Sequence, residues 1–210
     1  MSVELLKPAP KQHPFSKTSL KTNAKNLNNF SNNKKTFLSK IDKSKKGDID
    51  TKAIPLINTI NQLPNYYTTS SCSGRVYLWT GSGKKNETIW VNMSHDIINE
   101  SFLILPKPYS SLVWLRFEPF IMHICCKDLE SANFLLQEVH KLYKKSSILS
   151  ISNKIILEIR SSESIEMPLY DNNQLLFPQT HHSFLINLIN QKMNDMWDKM
   201  EQLKMMVEKI

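Results

Sequence analysis

Tyr66-Tyr67-Thr68-Thr69-Ser70-Ser71-Cys72-Ser73-Gly74-Arg75, running on into Val76-Tyr77-Leu78-Trp79, is the stretch on which the reading of this chain turns. From Thr68 to Gly74 every residue is a hydroxyl, a thiol or a glycine. Such residues build no core. They offer side-chain donors and acceptors and close backbone approach, and the Arg75 guanidinium closes the run. The run reads as a turn between a helix and a strand, with the chemistry of a site for a polar, anionic ligand.

Outward from that run, the pattern is helix, strands, helix, strands. On the N-terminal side, Asp50 caps a helix expected over Lys52 to Leu63, with Leu56, Ile60 and Leu63 on one face and Pro55 in its first turn. Before it, Asp42 to Asp50 is a charged turn around Gly47. On the C-terminal side come strands over Arg75 to Thr80 and Thr88 to Met93, joined by a hairpin loop. Leu112 to Glu118 alternates cleanly, Pro119 interrupts, and Phe120 to Cys125 resumes as strand. Asp128 caps a helix to Lys144, and Ile148 to Ser152 and Ile155 to Arg160 are strands. After Pro168 and a polar linker, a last helix begins near His182, with Leu185, Ile189, Met193, Met196, Met200, Leu203 and Val207 as its apolar stripe. The fold class is α+β with largely antiparallel sheet, and two helix-plus-strands blocks hint at duplication. The expected organisation is a disordered basic arm over 1–35, one domain over 36–178, and a C-terminal helix over 179–210 packing on that domain.

The formal charge of the 210-residue chain is +8. Residues 1–50 hold eleven lysines against Glu4, Asp42, Asp48 and Asp50, so they carry +7 of it. That arm suits phosphates, attracted without regard to sequence, or is a solvated leader. Three cysteines, Cys72, Cys125 and Cys126, do not make a disulfide framework. No stretch has the apolar core of a signal peptide or the length of a membrane span, so a soluble, intracellular protein is expected.

Four chemistries compete for the polar residues. A thiol enzyme would use Cys72 as nucleophile with His95 or His123 as base. Zinc would need Cys72, His95, His123, Cys125 and Cys126, but the usual short ligand pairs are absent, and Cys125 and Cys126 alternate across a strand; no metal is expected. A dinucleotide site is excluded, because Gly81-Ser82-Gly83 lacks a third glycine and leads to a strand. The fourth is a polar pocket built from Ser70–Arg75, His95, Glu118 and His123, with Arg160-Ser161 at the last strand's end.

These residues resemble a known family. Asp42-x-Ser44-x-Lys46-Gly47-x-Ile49-Asp50, the Ser-Ser-Cys-Ser-Gly-Arg block, Trp90 and His95, then Trp114-Leu115-Arg116-Phe117-Glu118-Pro119-Phe120-Ile121-Met122-His123, Ile159-Arg160-Ser161-Ser162 and Met167-Pro168-Leu169, are similar to the methyltransferases of the third step of tRNA wybutosine synthesis. Where that family has a glycine-bounded turn, this chain has Leu142-Tyr143-Lys144-Lys145-Ser146-Ser147. The resemblance implies two strand–helix repeats unlike the Rossmann-type methyltransferases. It implies N4-methylation, with S-adenosyl-L-methionine as donor, of the 7-aminocarboxypropyl-demethylwyosine base beside the anticodon of phenylalanine tRNA, in the cytoplasm. Under it, Ser71, Cys72, Ser73, Gly74 and Arg75 are expected to hold the cofactor, Ser70, Arg160, Ser161 and Lys46 the substrate, and Glu118, His123 and His95 the reacting centre.

Overall fold

The hydroxyl run is a strand, not a turn. The computed structural model describes residues 29–40, 50–82, 84 and 87–210. Within these, β1 (Tyr66–Cys72) takes up the run as far as Cys72, and only Ser73-Gly74 separates it from β2 (Arg75–Thr80). The other strands are β3 (Ile89–Ser94), β4 (Val113–Glu118), β5 (Ile121–Cys126), β6 (Ser147–Ser150), β7 (Ile155–Arg160), β8 (Ile165–Asp171) and β9 (Gln174–Leu175). Helices are α1 (29–40), α2 (Ile54–Gln62), α3 (Leu129–Val139) and α4 (His182–Val207).

The strands form two sheets, β1-β5-β7-β6 and β3-β2-β4-β8-β9, and every pairing between them is antiparallel. The sheets are continuous with one another. β1 runs into β2 through Ser73-Gly74, β4 into β5 through Pro119-Phe120, and β7 into β8 through residues 161–164. Three neighbouring strands of one sheet therefore cross into three neighbouring strands of the other along a single crease. Pro119 suits the crossing because it cannot donate to a ladder. Ser161 N–H donates to Phe120 O at 3.0 Å and ties two crossings together.

One side of the creased sheet is core. Val76, Leu78, Val113, Leu115 and Phe117 on one panel, and Met122, Ile124, Leu157 and Ile159 on the other, are fully buried. α2 closes over them with Leu56 and Ile60, and α3 with Ala132, Leu135 and Val139. α4 lays its Leu185, Ile189, Met193, Met196, Met200, Leu203 and Val207 stripe into the same cluster. Asp128 caps α3 by accepting from Ser131 N–H at 2.8 Å. Among the described residues no helix is long and apolar enough to cross a membrane.

Three differences from the sequence reading have clear causes. Asn29 to Lys35, assigned to a disordered arm, are the first turns of α1, because Phe30 and Phe37, seven apart on one helix face, place their rings 5.5 and 5.4 Å from Tyr67. The rest of that arm, and the charged turn before Asp50, lie outside the described residues. Where the sequence reading has a polar linker after Pro168, the chain continues β8 to Asp171 and adds β9; β9 reaches only Tyr170 and Asp171, so β8 is an edge strand at Pro168, where a missing N–H is tolerated. Asn172 and Asn173, with φ of 46° and 63°, make the tight turn between them. The helix expected to reach Lys144 ends at Val139, and turns carry the chain on to β6.

Candidate active site

Cross-strand register decides which side chains meet at the crease. Ser70 pairs with His123, which pairs with Glu158; Cys72 pairs with Ile121, which pairs with Arg160. Partners in an antiparallel ladder share a face, and residues two apart share it too. All six therefore lie on the side away from the core. On the other panel Arg75 pairs with Glu118 and Tyr77 with Arg116. Between the panels opens a cleft of about 650 Å³, lined by Arg75, Arg116, Glu118, Lys145, Glu158 and Arg160 together with Ser161, Ser162, Ser164 and the apolar Phe117, Pro119 and Ile121. Four cations face two carboxylates in it, so it favours an anionic group.

Glu118 is fully engaged. It accepts from Arg75 Nε at 2.8 Å and from Tyr77 O–H at 2.7 Å, and Arg116 lies at 3.5 Å. Burial alone would raise its pKa, but the hydrogen bonds from Tyr77 and Arg75 and the charges of both arginines outweigh burial and hold it below the usual carboxylate value. These bonds fix Arg75 against it, and a lowered pKa makes a carboxylate a weak base. His123 has both ring nitrogens occupied, Nδ1 with Ser70 Oγ at 2.7 Å and Nε2 with Glu158 Oε2 at 2.9 Å. Glu158 accepts, so Nδ1 accepts from the Ser70 hydroxyl, and the three form a closed hydrogen-bonded chain across three strands.

His95 is arranged differently. Its Nδ1 lies 2.9 Å from Gly74 O and 3.4 Å from Asp50 Oδ2, so Nδ1 carries the proton and donates toward both. Among the described residues its Nε2 has no partner, on a ring more than a third exposed. Asp50 is fixed in turn by accepting from Ser73 N–H at 2.8 Å. Cys72 Sγ lies 3.9 Å from the same Nδ1, not from Nε2, so the three side chains do not form a thiol–base relay. Burial, helped by Asp50 and Glu118, pushes the Cys72 thiol up despite the Gly74 hydrogen bond and Arg75, which disfavours a nucleophilic thiolate. Asp50, Cys72 and His95 place one ligand atom each within 4.8 Å of one another, the spacing of a three-ligand metal set. The atoms of Asp50 and His95 that face each other are already committed to the backbone.

The structure thus brings Ser70, Cys72, Arg75, His95, Glu118, His123, Arg160 and Ser161 to one face of the crease. Ser71 and Ser73 belong elsewhere. Ser71 pairs with the fully buried Met122 and shares its core-facing side, and Ser73 is buried with its hydroxyl unpartnered among the described residues. Gly74 acts through its backbone: φ is +96°, and a Cβ there would lie 2.2 Å from Met196 Cε. Lys46 lies outside the described residues.

Comparison with known proteins agrees with this geometry. Residues 25–209 match the model of the family described as Methyltransferase TYW3. The chain belongs to that family. It is therefore an enzyme of a methyltransferase family, with a fold outside the Rossmann type. Relatives include the tRNA(Phe) 7-((3-amino-3-carboxypropyl)-4-demethylwyosine(37)-N(4))-methyltransferases of Methanocaldococcus jannaschii, 33% identical over 71% of this chain and 81% of the relative, and of Thermococcus kodakarensis, 32% identical over 87% and 96%. The tRNA wybutosine-synthesizing protein 2/3/4 of Arabidopsis thaliana is 34% identical over 73% of this chain, which spans only 18% of that relative. The PH1069 protein of Pyrococcus horikoshii has the same fold, with a TM-score of 0.80 and 30% identity over 86% of this chain and 97% of that one.

Within this TYW3-family site, sequence reasoning missed Asp50 as a site residue, seeing only a helix cap, which it also is, accepting from Lys52 N–H at 3.3 Å. It also missed Arg116, Lys145 and Glu158. Glu158 carried a signal: it is a lone carboxylate in the apolar run Ile155-Ile156-Leu157, two residues before Arg160 and so on the same face.

Proposed function

We propose that this chain transfers a methyl group from S-adenosyl-L-methionine to N4 of the 7-aminocarboxypropyl-demethylwyosine base of phenylalanine tRNA, in the cytoplasm. The observation that carries the reading is the Asp50–His95 pair beside Gly74 and Cys72, the residues leading to Arg75 of the cationic cleft, in which Nδ1 holds the proton and Nε2, among the described residues, has no partner. The ring nitrogen must lose a proton as it gains a methyl group. His95 Nε2 is the acceptor, and Asp50 supports the imidazolium that forms.

The cleft suits the donor. Its volume falls in the range of small-molecule sites, about 300–1,000 Å³. Arg160 with Ser161 and Ser162 offers donors to a carboxylate, Glu158 an acceptor to an ammonium, and Pro119 and Ile121 an apolar wall. S-adenosyl-L-methionine supplies a methyl group on a sulfonium that departs as a neutral thioether. The protein's part is then to hold both partners in line and take one proton, for which positioning supplies most of the acceleration. Ser70 and Arg75 extend the polar wall toward the base. Metal has no part in this reading.

The test is methyl transfer by the purified protein to phenylalanine tRNA carrying the precursor base. Expected is one added methyl group on that base by mass spectrometry and binding of S-adenosyl-L-methionine by calorimetry. No donor binding, with tRNA present or absent, would leave a tRNA-binding protein without this activity.

A further inference from the structure

Three of the four tryptophans, Trp79, Trp90 and Trp114, lie outside the hydrophobic core. Register places them on one surface: Trp79 pairs with Trp90 on β3 and with Trp114 on β4, and Tyr77 pairs with Met93 and Arg116. On β2 they alternate with Val76 and Leu78, which face the core. The rings form a nearly continuous layer. Trp79 and Trp114 stack with centroids 6.1 Å apart and planes at 17°, Tyr77 and Trp90 lie 4.6 Å apart, and the Arg75 guanidinium sits 5.1 Å from the Trp90 ring. Trp90 is 49% exposed and Met93 50% on the edge strand.

Among the described residues no helix covers this layer, whereas the opposite side of the same sheet is covered by α2 and α4 residues of the core. Large aromatic surface on a wet sheet face marks a partner. The face is continuous with the cleft, because Arg75 and Arg116 line both. A partner reaching the cleft along it meets flat rings, guanidinium groups and an excess of cations in the cleft itself. Those features fit unpaired RNA bases, each of which has a π face whatever its identity, with phosphates drawn by the arginines.

We propose that the solvent side of the five-stranded sheet, with Trp90 exposed on the edge strand, Trp79 and Trp114 beside it and the buried Tyr77 ring as its backing, is a stacking platform for the unpaired bases that flank the target base. The inference rests on the function proposed above and names how the RNA is held beside the reacting base.

The test uses Trp79→Ala and Trp114→Ala, which leave the Tyr77 and Trp90 rings beside Arg75 in place, with Trp79→Phe and Trp114→Phe as ring-preserving partners and Met93→Glu as a variant at a half-exposed position of the edge strand. Affinity for precursor-bearing phenylalanine tRNA, and for its anticodon stem-loop alone, should weaken about ten- to hundredfold in the alanine variants. The phenylalanine variants should recover most of it, Met93→Glu should also weaken binding, and calorimetry should show unchanged affinity for S-adenosyl-L-methionine. Wild type that binds and methylates the tRNA while all variants bind it equally well would overturn the platform and leave the function standing. Wild type that neither binds nor methylates the tRNA overturns both. A wild-type dimer in sedimentation that Trp114→Ala or Met93→Glu dissociates, with RNA affinity unchanged, would give the face to a second copy of this chain and overturn the proposal.

Discussion

Asp50 Oδ2 lies 3.4 Å from His95 Nδ1 while accepting from Ser73 N–H at 2.8 Å, so one carboxylate anchors both the histidine and the turn of the Ser-Ser-Cys-Ser-Gly-Arg motif. With Gly74 O at 2.9 Å, the carboxylate sets the tautomer with the proton on Nδ1, and among the described residues Nε2 has no partner. His95→Ala should lower kcat about 10²- to 10⁴-fold, the usual range for a general base, with little change in donor affinity. Asp50→Asn keeps one acceptor oxygen, enough for the Lys52 cap or for Ser73 N–H but not for both, and should fold. It loses the support for the imidazolium, so turnover falls while binding holds. A fall in S-adenosyl-L-methionine affinity as large as the fall in kcat, in both variants, would make the pair a binding device.

How much of this was legible beforehand depends on whether the deciding contact is local. β4 announces itself, because Val113, Leu115 and Phe117 alternate with Trp114, Arg116 and Glu118, and the structure buries the first set fully. Pro119 reads as an interruption and is a crossing point of the crease. The hydroxyl run misleads because its small polar residues look like a loop, yet pairing with β5 holds it as strand. Ser71 follows from that error: once the run is a strand, alternate members must face the core. The site's residue types were readable, but their partners were not. Asp50 reaches Ser73 across 23 positions and His123 reaches Glu158 across 35, distances at which a single sequence carries no pairing signal.

Gly74 separates two demands at one residue. With φ at +96° any side chain is strained, and its Cβ would meet Met196 Cε at 2.2 Å and Glu118 O at 3.1 Å. Gly74→Ala should therefore destabilise the fold by on the order of 2–5 kcal/mol, combining backbone strain with overpacking. Urea unfolding measures it. A loss under about 1 kcal/mol, in the range of ordinary surface substitutions, would mean that α4 yields and is not pinned by the motif.

Glu118 makes an acid-side prediction. Its folded pKa is depressed below its ordinary value, so the stability it contributes is fully present above the unfolded carboxylate pKa, about 4.3. That contribution is lost as pH falls through the still lower folded value. Glu118→Gln should be less stable than wild type at neutral pH, with the gap closing at low pH. Chemical unfolding across pH 7 to 3 reads this directly. A gap of constant size would show that Glu118 stabilises by shape and not by charge.

The three thiols should separate by alkylation rate. Cys72 is partly exposed and its thiol is pushed up, mainly by burial, while Cys125 and Cys126 are buried and Cys126 is pushed up to about 12. Iodoacetamide followed by peptide mass mapping should label Cys72 first, but slowly at neutral pH, with the rate rising only above the ordinary thiol value of about 8.5. Cys126 should react last. S-adenosyl-L-methionine should protect Cys72, which shares its face with Ile121 and Arg160 of the cleft, and leave the rates at Cys125 and Cys126 unchanged. Fast labelling of Cys72 at neutral pH would instead reveal an activated thiol and return the thiol-enzyme reading to contention. Labelling that the donor does not slow would place the donor away from the crease.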